Sequence, residues 1–406
     1  MGKNLLTGSF QLMKSLNRSV ILNIIRERGP ISRAEIAKVT KLTPPTVSNL
    51  VKELLQTEII MEQSLGESSG GRKPTMLTLN SSMFHVIGLD IGSRHLKAIL
   101  TNINGQLLNK EIFPIPNHVS KDGLLSLMKE AVHSIKNSAG IAEDRIIGIG
   151  VAMHGIVDVE QGISVFAPNL NLQEIPIKDF LEEEFKMIVN VENDARAMSL
   201  GEQWFGNGSG VDSLVCINVG RGVGAGIIIN GKLFHGQHFI SGEIGHMVID
   251  INGPRCTCGN YGCLQTFTSG PAIIEHAAKE LRLGQQSALT GLADGDFSRL
   301  TGEMIYEAAL SGDVMSQNIL AQAGRYLGIG VTNLIHIVNP KRIIIGGGVS
   351  NAGEFILQNL KDTIKQRALT NSAKETEIMI SKFGEDASVM GAVALILAEL
   401  FTTRGN

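Results

Sequence analysis

Apolar residues recur at helical spacing three times near the start of the chain. The first such stretch covers about 16–28 and ends at Gly29-Pro30. In the second, Ser32 stands three residues before Glu35, a spacing that predicts a capping box at the start of a short helix. The third begins after Thr43, with proline at its first position. Its apolar stripe consists of Val47, Leu50, Val51 and Leu54. Short helices joined by a tight turn predict a helix-turn-helix, whose last helix enters the major groove of DNA.

The polar face of the third predicted helix indicates which side chains would meet DNA. We predict that Thr46, Ser48 and Asn49 read the bases. Further candidates for DNA contact in the same region are Ser32, Arg33, Thr43 and Lys52. A small three-helix core with no role in DNA binding remains the alternative.

A strand, a polar loop and a second strand are predicted next, at 58–62, 67–74 and 76–79. The tip of this hairpin carries Arg72 and Lys73 beside glycines. Cationic side chains so placed can reach the phosphate backbone or a narrow minor groove. The hairpin is therefore typical of the wing in a winged helix-turn-helix. A flexible interdomain linker is the competing interpretation, and the two roles can coexist.

From Val86 onward, strand-like apolar runs alternate with helical segments, which predicts an α/β body and a domain boundary near residue 80. The body contains an internal repeat. The run at 86–92 leads through a second strand to Asn104-Gly105, and the run at 214–220 leads through another to Asn230-Gly231. Duplicated halves of this kind predict two lobes with a ligand-binding cleft between them.

The charge distribution agrees with an anionic partner for the N-terminal segment. Residues 1–75 hold 11 Lys and Arg against 6 Asp and Glu, although the whole chain of 406 residues has a net charge of -3. A solvated charged face gives the same excess, so composition permits nucleic-acid binding without establishing it. No stretch reaches the roughly 18 continuous apolar residues of a membrane span, and the first residues lack the apolar block of a secretory signal. We therefore expect a cytoplasmic protein with no membrane partner.

Three of the four cysteines fall within eight residues, which disfavours a disulfide framework and favours a metal site. Short spacings with intervening glycines let the backbone fold around a single ion. One imidazole and three thiolates make up the four-ligand set that a structural zinc ion prefers. We predict such a site at 246–263, with His246, Cys256, Cys258 and Cys263 as ligands and no open position for activating water.

Polar residues at two places suit sugar hydroxyls. The motif Glu192-Asn193-Asp194-Ala195 lies between an apolar run and a helical segment, and a second motif, at 241–246, contains Glu243 and His246. Carboxylates and carboxamides can accept from or donate to vicinal hydroxyls inside a cleft. Taken alone, an Asn-Asp pair before a helix is more often a cap.

Glycine loops occur at 90–93, 220–226 and 346–348. Loops of this kind can cradle phosphates. These three match neither the P-loop nor the dinucleotide fingerprint, so they are weak indications of a nucleotide.

Together these motifs resemble the ROK family, which groups transcriptional repressors, uncharacterised open reading frames and sugar kinases. The likeness covers nearly the whole chain: 246–263 is similar to the family's zinc signature, and 192–195 to its sugar-site motif. The segment 69–74 is similar to the repressor branch, xylose-operon repressors of Gram-positive bacteria in particular. The resemblance implies an actin-like ATPase fold. It also implies sugar contacts from Asn193, Asp194, Glu243, His246 and Gln265.

Three positions depart from the pattern of the family's kinases. The first phosphate loop reads Asp90-Ile91-Gly92-Ser93-Arg94-His95, where the kinases have Asp-x-Gly-Gly-Thr-Lys. Arg221 replaces a threonine in the second loop, and Gln265 replaces the usual glutamate after the zinc cysteines. In the kinases the residue matching Asp194 is the general base, whereas here the same carboxylate can serve binding alone. We therefore expect no enzymatic activity and name no catalytic residue.

The predicted protein is of the α/β class, with a winged helix-turn-helix domain at 1–80 and a two-lobed, sugar kinase-like ROK domain at 81–406. We expect a sugar-responsive repressor of carbohydrate-utilisation genes. It would bind operator DNA as a homodimer or higher homo-oligomer and be released by a sugar such as xylose. The alternatives are an ATP-dependent sugar kinase with an added DNA-binding head, and a regulator controlled by a protein partner.

Overall fold

The computed structural model of the chain describes residues 16–65 and 74–401. Contacts within the chain divide it into two compact units, the first comprising residues 1–193 and 392–406 and the second residues 194–391. Arg72 and Lys73 lie outside the described residues, so their contact with DNA stays a prediction. The proposed domain boundary near residue 80 also stays a prediction.

The N-terminal part of the first unit consists of three helices beside a small antiparallel sheet. Its elements are α1 (Leu16–Arg28), β1 (Ile31–Ser32), α2 (Arg33–Thr40), α3 (Pro44–Gln56), β2 (Ile60–Leu65) and β3 (Thr75–Leu79). The strand order is β1-β3-β2. The three predicted helices and the two strands of the predicted wing are confirmed. The stripe of α3 is buried at Val47, Val51 and Leu54, as its spacing requires.

The rest of the first unit is built on a five-stranded sheet, covered by helices and joined to a small antiparallel sheet. The elements are β4 (His85–Ile91), β5 (His95–Asn102), β6 (Leu107–Pro114), α4 (Lys121–Ala139), β7 (Ile146–Met153), β8 (Ile156–Asp158), β9 (Ile163–Ala167), β10 (Leu172–Ile175), α5 (Ile177–Phe185) and β11 (Ile188–Asn193). The main sheet has the order β11-β7-β4-β5-β6, in which β4, β7 and β11 are parallel. Its core includes Leu89 and Val151 of the sheet and Met128 of α4.

The second unit repeats this arrangement with a sheet of order β14-β13-β12-β15-β16. Its strands are β12 (Leu214–Val219), β13 (Val223–Ile229), β14 (Lys232–Leu233), β15 (Arg342–Gly346) and β16 (Glu377–Ile380). Its helices are α6 (Asp194–Phe205), α7 (Gln265–Thr268), α8 (Gly270–Arg282), α9 (Leu289–Leu292), α10 (Gly302–Leu310), α11 (Val314–Val338), α12 (Glu354–Arg367) and α13 (Asn371–Lys374). In each of the two sheets, three consecutive strands pair antiparallel to one another. Two later strands then extend the sheet through parallel pairing. The predicted duplication is therefore confirmed in the topology.

The last helix, α14 (Ala387–Phe401), begins in the second unit and ends in the first. In each unit, a glycine allows the backbone of α14 to approach a neighbouring element closely. A Cβ atom on Gly391 would lie 1.9 Å from the carbonyl oxygen of Ala197, and one on Gly150 of β7 would lie 1.7 Å from that of Ala392. The helix is therefore packed tightly within each unit.

The end of α14 contacts the first helix of the N-terminal part. Nδ2 of Asn23 donates a hydrogen bond of 2.8 Å to the carbonyl oxygen of Phe401. The guanidinium of Arg26 lies 5.8 Å from the centre of the Phe401 ring, within the range of a cation–π contact. Phe401 is only 1% exposed, so this contact fixes the N-terminal helices against the last helix. Within 16–65 and 74–401, no helix is both long and apolar enough to cross a membrane.

Candidate functional site

The third helix presents the predicted DNA-reading side chains on one face. Ser48, Asn49 and Lys52 are exposed, and their spacing places them on one side of α3. Thr43 caps the helix, since its hydroxyl accepts from the backbone N–H of Thr46. The hydroxyls of these two threonines are 2.8 Å apart. The exposed polar face of α3 therefore has the form of a recognition helix, with its N-terminus fixed by a cap.

Ser32 and Arg33 contact glutamate side chains of the protein itself. Ser32 is 5% exposed, its hydroxyl accepts from the N–H of Glu35, and both its N–H and its hydroxyl donate to the Glu35 carboxylate. These hydrogen bonds lower the pKa of Glu35. Ser32 therefore caps α2, as its spacing to Glu35 predicts, and its contact with DNA stays a prediction. Arg33 is half-buried and forms an ion pair of 2.7 Å with Glu62, and its contact with DNA stays a prediction.

The four predicted metal ligands come together in the second unit. The ligand atoms of His246, Cys256, Cys258 and Cys263 all lie within 4.8 Å of one another. Nδ1 of His246 is 3.7 Å from Sγ of Cys256, and Sγ of Cys258 is 3.7 Å from Sγ of Cys263. Two thiolates on a tetrahedral zinc ion would be about 3.8 Å apart, because each Zn–S bond is about 2.3 Å long. The donor atoms and their spacing therefore fit a four-coordinate zinc ion.

Local backbone geometry gathers these ligands. Gly262 has φ of 67°, and a Cβ atom there would lie 1.5 Å from the carbonyl oxygen of Asp250. Only glycine fits this approach, which lets Val248 pair with Cys263 in an antiparallel bridge. The N–H of Cys256 donates to the carbonyl of Asn260 at 2.7 Å and closes the turn that contains Cys258.

The thiols of the cluster differ in acidity. Burial alone would raise the pKa of Cys256, but hydrogen bonds from Cys258 and Gln265 outweigh it and lower that pKa to about 6. Burial and the neighbouring thiols raise the pKa of Cys263 to about 12. The thiolate is the form that binds metals, so one ligand is already prepared for an ion.

The second unit holds four of the five predicted sugar residues, and Asp194, Glu243 and His246 are three of them. Oε2 of Glu243 lies 4.0 Å from Nε2 of His246. Burial is the main cause of a raised pKa for Glu243, to which the charge of Asp194 adds, while His246 and Arg196 oppose it. Glu243 is therefore within electrostatic range of both Asp194 and His246. Two carboxylates and an imidazole in one place can bind several hydroxyls of one small molecule.

Asp194 is held at the start of α6. Its Oδ1 accepts from the N–H of Ala195 at 2.9 Å, and its Oδ2 accepts from Nδ2 of Asn218 at 3.1 Å. The first contact lies within the first turn of the helix. The second fixes the orientation of the carboxylate from a neighbouring strand, β12, and is not part of a cap.

Arg196 positions the segment that carries Glu243. Its side chain is buried, and Nη1 donates to the carbonyls of Phe239 and Ser241 at 2.9 and 3.3 Å. The segment is also fixed at Gly242, because a Cβ atom there would lie 1.8 Å from the carbonyl oxygen of Ala225. Glu243 therefore follows a rigid backbone, not a free loop.

The remaining two predicted sugar residues have partners of their own. Asn193 ends the longer segment of the first unit, residues 1–193, and its Nδ2 donates to the carbonyl of Gly155 at 2.9 Å. Gln265 donates through Nε2 to Sγ of Cys256 at 3.2 Å. Gln265 is thus a neighbour of the metal cluster. Its replacement of the glutamate found in the family's kinases did not indicate this position.

The second glycine loop has a packing role in the structure. A Cβ atom on Gly226 would lie 1.9 Å from Oγ of Ser199, and one on Gly224 would lie 3.2 Å from Cβ of Ala195. These glycines of β13 therefore allow α6 to pack closely against the sheet. Arg221, which replaces the threonine of the kinases, is exposed.

Comparison with known proteins agrees with both parts of the chain. The sequence profile of the ROK family matches residues 86–399, and a winged helix-turn-helix DNA-binding profile matches residues 17–61. The xylose repressor of Caldicellulosiruptor bescii is 33% identical over 395 residues, which cover 97% of this chain and 98% of that protein.

Two solved structures are similar over different lengths. A ROK family transcriptional regulator, described as a homologue of the Escherichia coli MLC protein, has a TM-score of 0.84 at 29% identity and covers 98% of this chain and 97% of its own. A ROK family glucokinase from Streptomyces griseus, solved with glucose and AMPPNP, has a TM-score of 0.70 at 30% identity and covers 77% of this chain and 98% of its own.

Proposed function

The chain belongs to the ROK family, and from this premise we propose that it is a sugar-responsive transcriptional repressor of carbohydrate-utilisation genes. The observation that carries the proposal is the presence, in one chain, of a winged helix-turn-helix with an exposed polar recognition face and an actin-like ROK domain. A repressor relative and a regulator structure match both parts together. The protein would act in the cytoplasm on operator DNA.

DNA binding would be carried by α3. Thr46, Ser48 and Asn49 face outward or lie half-buried near its N-terminus, where side chains of a recognition helix meet base edges. Lys52 would contact a phosphate, and Arg72 and Lys73 of the predicted wing would do the same. The protein would bind as a homodimer, because two recognition helices on a palindromic operator need a two-fold symmetric protein.

The effector would be a small sugar, with xylose as the first to test because the repressor relative bears its name. Asn193, Asp194, Glu243 and His246 would hold its hydroxyls. Gln265 would contribute through its carbonyl oxygen, since its Nε2 is engaged with a thiol. A sugar that bound one conformation of the dimer about a hundredfold better than the other would shift the equilibrium by roughly 2.7 kcal/mol, enough to change operator occupancy substantially.

A structural zinc ion would be held by His246, Cys256, Cys258 and Cys263. It would supply a cross-link between the segment of Glu243 and the cysteine turns, and it would not take part in any reaction. The ring of His246 would then have one nitrogen on the metal and the other towards Glu243, which suits a sugar residue that must keep one orientation.

The second candidate function is an ATP-dependent sugar kinase with a DNA-binding head. The similarity to a glucokinase and the presence of Asp194 favour it. The bulkier residues Ser93 and Arg94 in the first loop, and Arg221 in the second, oppose close approach of phosphates. ADP production that depends on both a sugar and Asp194 would support the kinase, and none across a broad panel would exclude it.

The test of the proposed function is selection of DNA by the purified full chain. Genomic fragments from the source organism are incubated with the protein at moderate salt, and retained fragments are challenged with free and phosphorylated sugars. Specific retention that one sugar releases is the expected result. Specific retention that every sugar leaves unchanged would favour a protein partner as regulator, and no specific retention would overturn the repressor.

A further inference from the structure

His154 is a buried histidine that the sugar motif does not include. It directly follows β7, is 7% exposed, and its Nδ1 lies 3.0 Å from the carbonyl oxygen of Ile91. Because a carbonyl oxygen only accepts, Nδ1 carries the hydrogen of this bond. The second ring nitrogen, Nε2, is also buried and has no hydrogen-bond partner among the described residues.

The strands place His154 beside a predicted sugar residue. Met153, the last residue of β7, is in register with Asn193 at the end of β11 and with Ile91 at the end of β4. The three strands are parallel and therefore end at the same edge of the sheet. In open α/β sheets, ligands bind outside the carboxyl ends of the strands. The residue after His154, Gly155, accepts the side-chain hydrogen bond of Asn193 at 2.9 Å.

A ring nitrogen buried without a partner is costly and rare in folded proteins. A sugar hydroxyl can satisfy it in either role, since a hydroxyl both donates and accepts. An aliphatic residue would fill the same space without this cost, and an Asn would keep the bond to Ile91. The bond to Ile91 therefore accounts for Nδ1 of the imidazole and leaves Nε2 without a partner among the described residues.

We propose that Nε2 of His154 forms a hydrogen bond with one hydroxyl of the sugar effector, next to the hydroxyl held by Asn193. This makes His154 a specificity-determining residue of the sugar site, and the inference rests on the proposed function. The effector class is then a sugar with at least two neighbouring hydroxyls, one for the carboxamide and one for the imidazole.

The experiment compares the full chain with the variant His154→Asn. The Asn side chain retains a donor in the place of Nδ1 for the carbonyl of Ile91 but has no atom in the place of Nε2. The concentration of D-xylose, or of glucose if only glucose releases the wild type, that half-releases operator DNA should rise about three- to tenfold. Operator affinity without sugar should stay unchanged.

The matched control is His85→Asn. His85 lies at the opposite end of β4 from Ile91 and is buried to the same degree, so the same substitution there tests stability without touching the sugar site. Monodeoxy analogues of the sugar identify the hydroxyl. The analogue that lacks it should weaken release of the wild type by the same factor, and should weaken His154→Asn no further.

An unchanged half-releasing concentration for His154→Asn would overturn the inference and leave the repressor intact, because His154 would then only hold Ile91. An equal rise of the half-releasing sugar concentration in His154→Asn and His85→Asn would also overturn the inference, because lower stability would then explain both rises. Wild-type protein that binds its operator but that no sugar releases would instead overturn the proposed sugar response, and this inference with it.

Discussion

Oε2 of Glu243 lies 4.0 Å from Nε2 of His246, while Nδ1 of the same ring faces the thiol of Cys256. One imidazole therefore joins a predicted sugar residue to the predicted metal cluster. A metal on Nδ1 would fix the ring and leave Nε2 for Glu243 or for a hydroxyl. Loss of the metal should consequently weaken the response to sugar without any direct effect on the recognition helix.

Zinc content provides the first prediction. The purified chain should contain about one zinc ion per molecule, since four ligands converge on one point. Cys263→Ser should lose the ion and lower the midpoint of thermal unfolding, because Cys263 is fully buried within the cluster. Elemental analysis and calorimetry measure the two effects.

The control for this substitution is Cys216→Ser, at the fourth cysteine, which is buried outside the cluster. That variant should retain its zinc whatever its stability. Zinc-free wild-type protein, or full zinc content in Cys263→Ser, would contradict the metal site.

Removal of one carboxylate charge provides the second prediction. Asp194→Asn keeps the shape of the side chain but removes the charged acceptor that Asn218 orients. Hydrogen bonds to charged groups contribute about 1.5–3 kcal/mol, so the half-releasing sugar concentration should rise roughly 10- to 100-fold. Isothermal titration with the sugar measures the affinity directly. Asp296→Asn, at an exposed carboxylate of the same unit, should leave it unchanged. Unaltered affinity in Asp194→Asn would exclude Asp194 from the sugar site.

The recognition face provides the third prediction. Asn49→Ala should weaken binding to the operator by about 1–3 kcal/mol and relax selection at one base pair, because Asn49 is exposed on α3 and is a predicted base reader. Lys52→Ala should weaken binding to all sequences and reduce the slope of log affinity against log salt by about one. Fluorescence anisotropy with operator and random DNA measures both effects.

Lys365→Ala, at an exposed lysine of α12, is the control for loss of positive charge. It should leave the affinity and its salt dependence as they are in the wild type. If Asn49→Ala weakened random and operator DNA to the same extent, Asn49 would be a backbone contact and not a base reader.

The contact between α1 and α14 provides the fourth prediction. Phe401→Ala removes a buried ring that lies under Arg26, a class of change that costs about 3–5 kcal/mol in cores. Amide hydrogens of α1 should exchange faster with solvent, while sugar affinity should remain as in the wild type. Hydrogen exchange with mass spectrometry measures the first effect and calorimetry the second. Leu369→Ala, at an exposed side chain, should change neither. Unchanged exchange in α1 of Phe401→Ala would mean that the helix end does not support the N-terminal part.

Sequence patterns predicted the features that depend on nearby residues. The stripe of α3 follows from its spacing, and the metal cluster follows from four ligands within 246–263, because chain proximity already brings these side chains together. Ser32 shows the limit of such patterns. Its spacing to Glu35 predicts a cap, and its burial and its bonds with Glu35 confirm that cap. Its contact with DNA has no local signature of this kind and stays a prediction.

Contacts between distant residues could not be predicted in the same way. Asn218 orients Asp194 from another strand, Gly155 accepts from Asn193 across the edge of a sheet, and Asn23 reaches Phe401 near the other end of the chain. Each depends on the fold and leaves no local periodicity. A buried histidine after a strand, such as His154, also reads as an ordinary core residue until its two ring nitrogens are examined separately.

The bond between Asn23 and Phe401 has a consequence for synthesis of the protein. These residues are separated by 378 positions, and a ribosome adds about 5–20 residues per second, so roughly 20 to 80 s pass between them. During that interval the nascent chain has its DNA-binding helices but not the helix end that supports them. In stalled or prematurely terminated chains, the N-terminal helices would therefore lack the support of the last helix. Support of α1 by this contact would therefore require a chain that extends at least to Phe401.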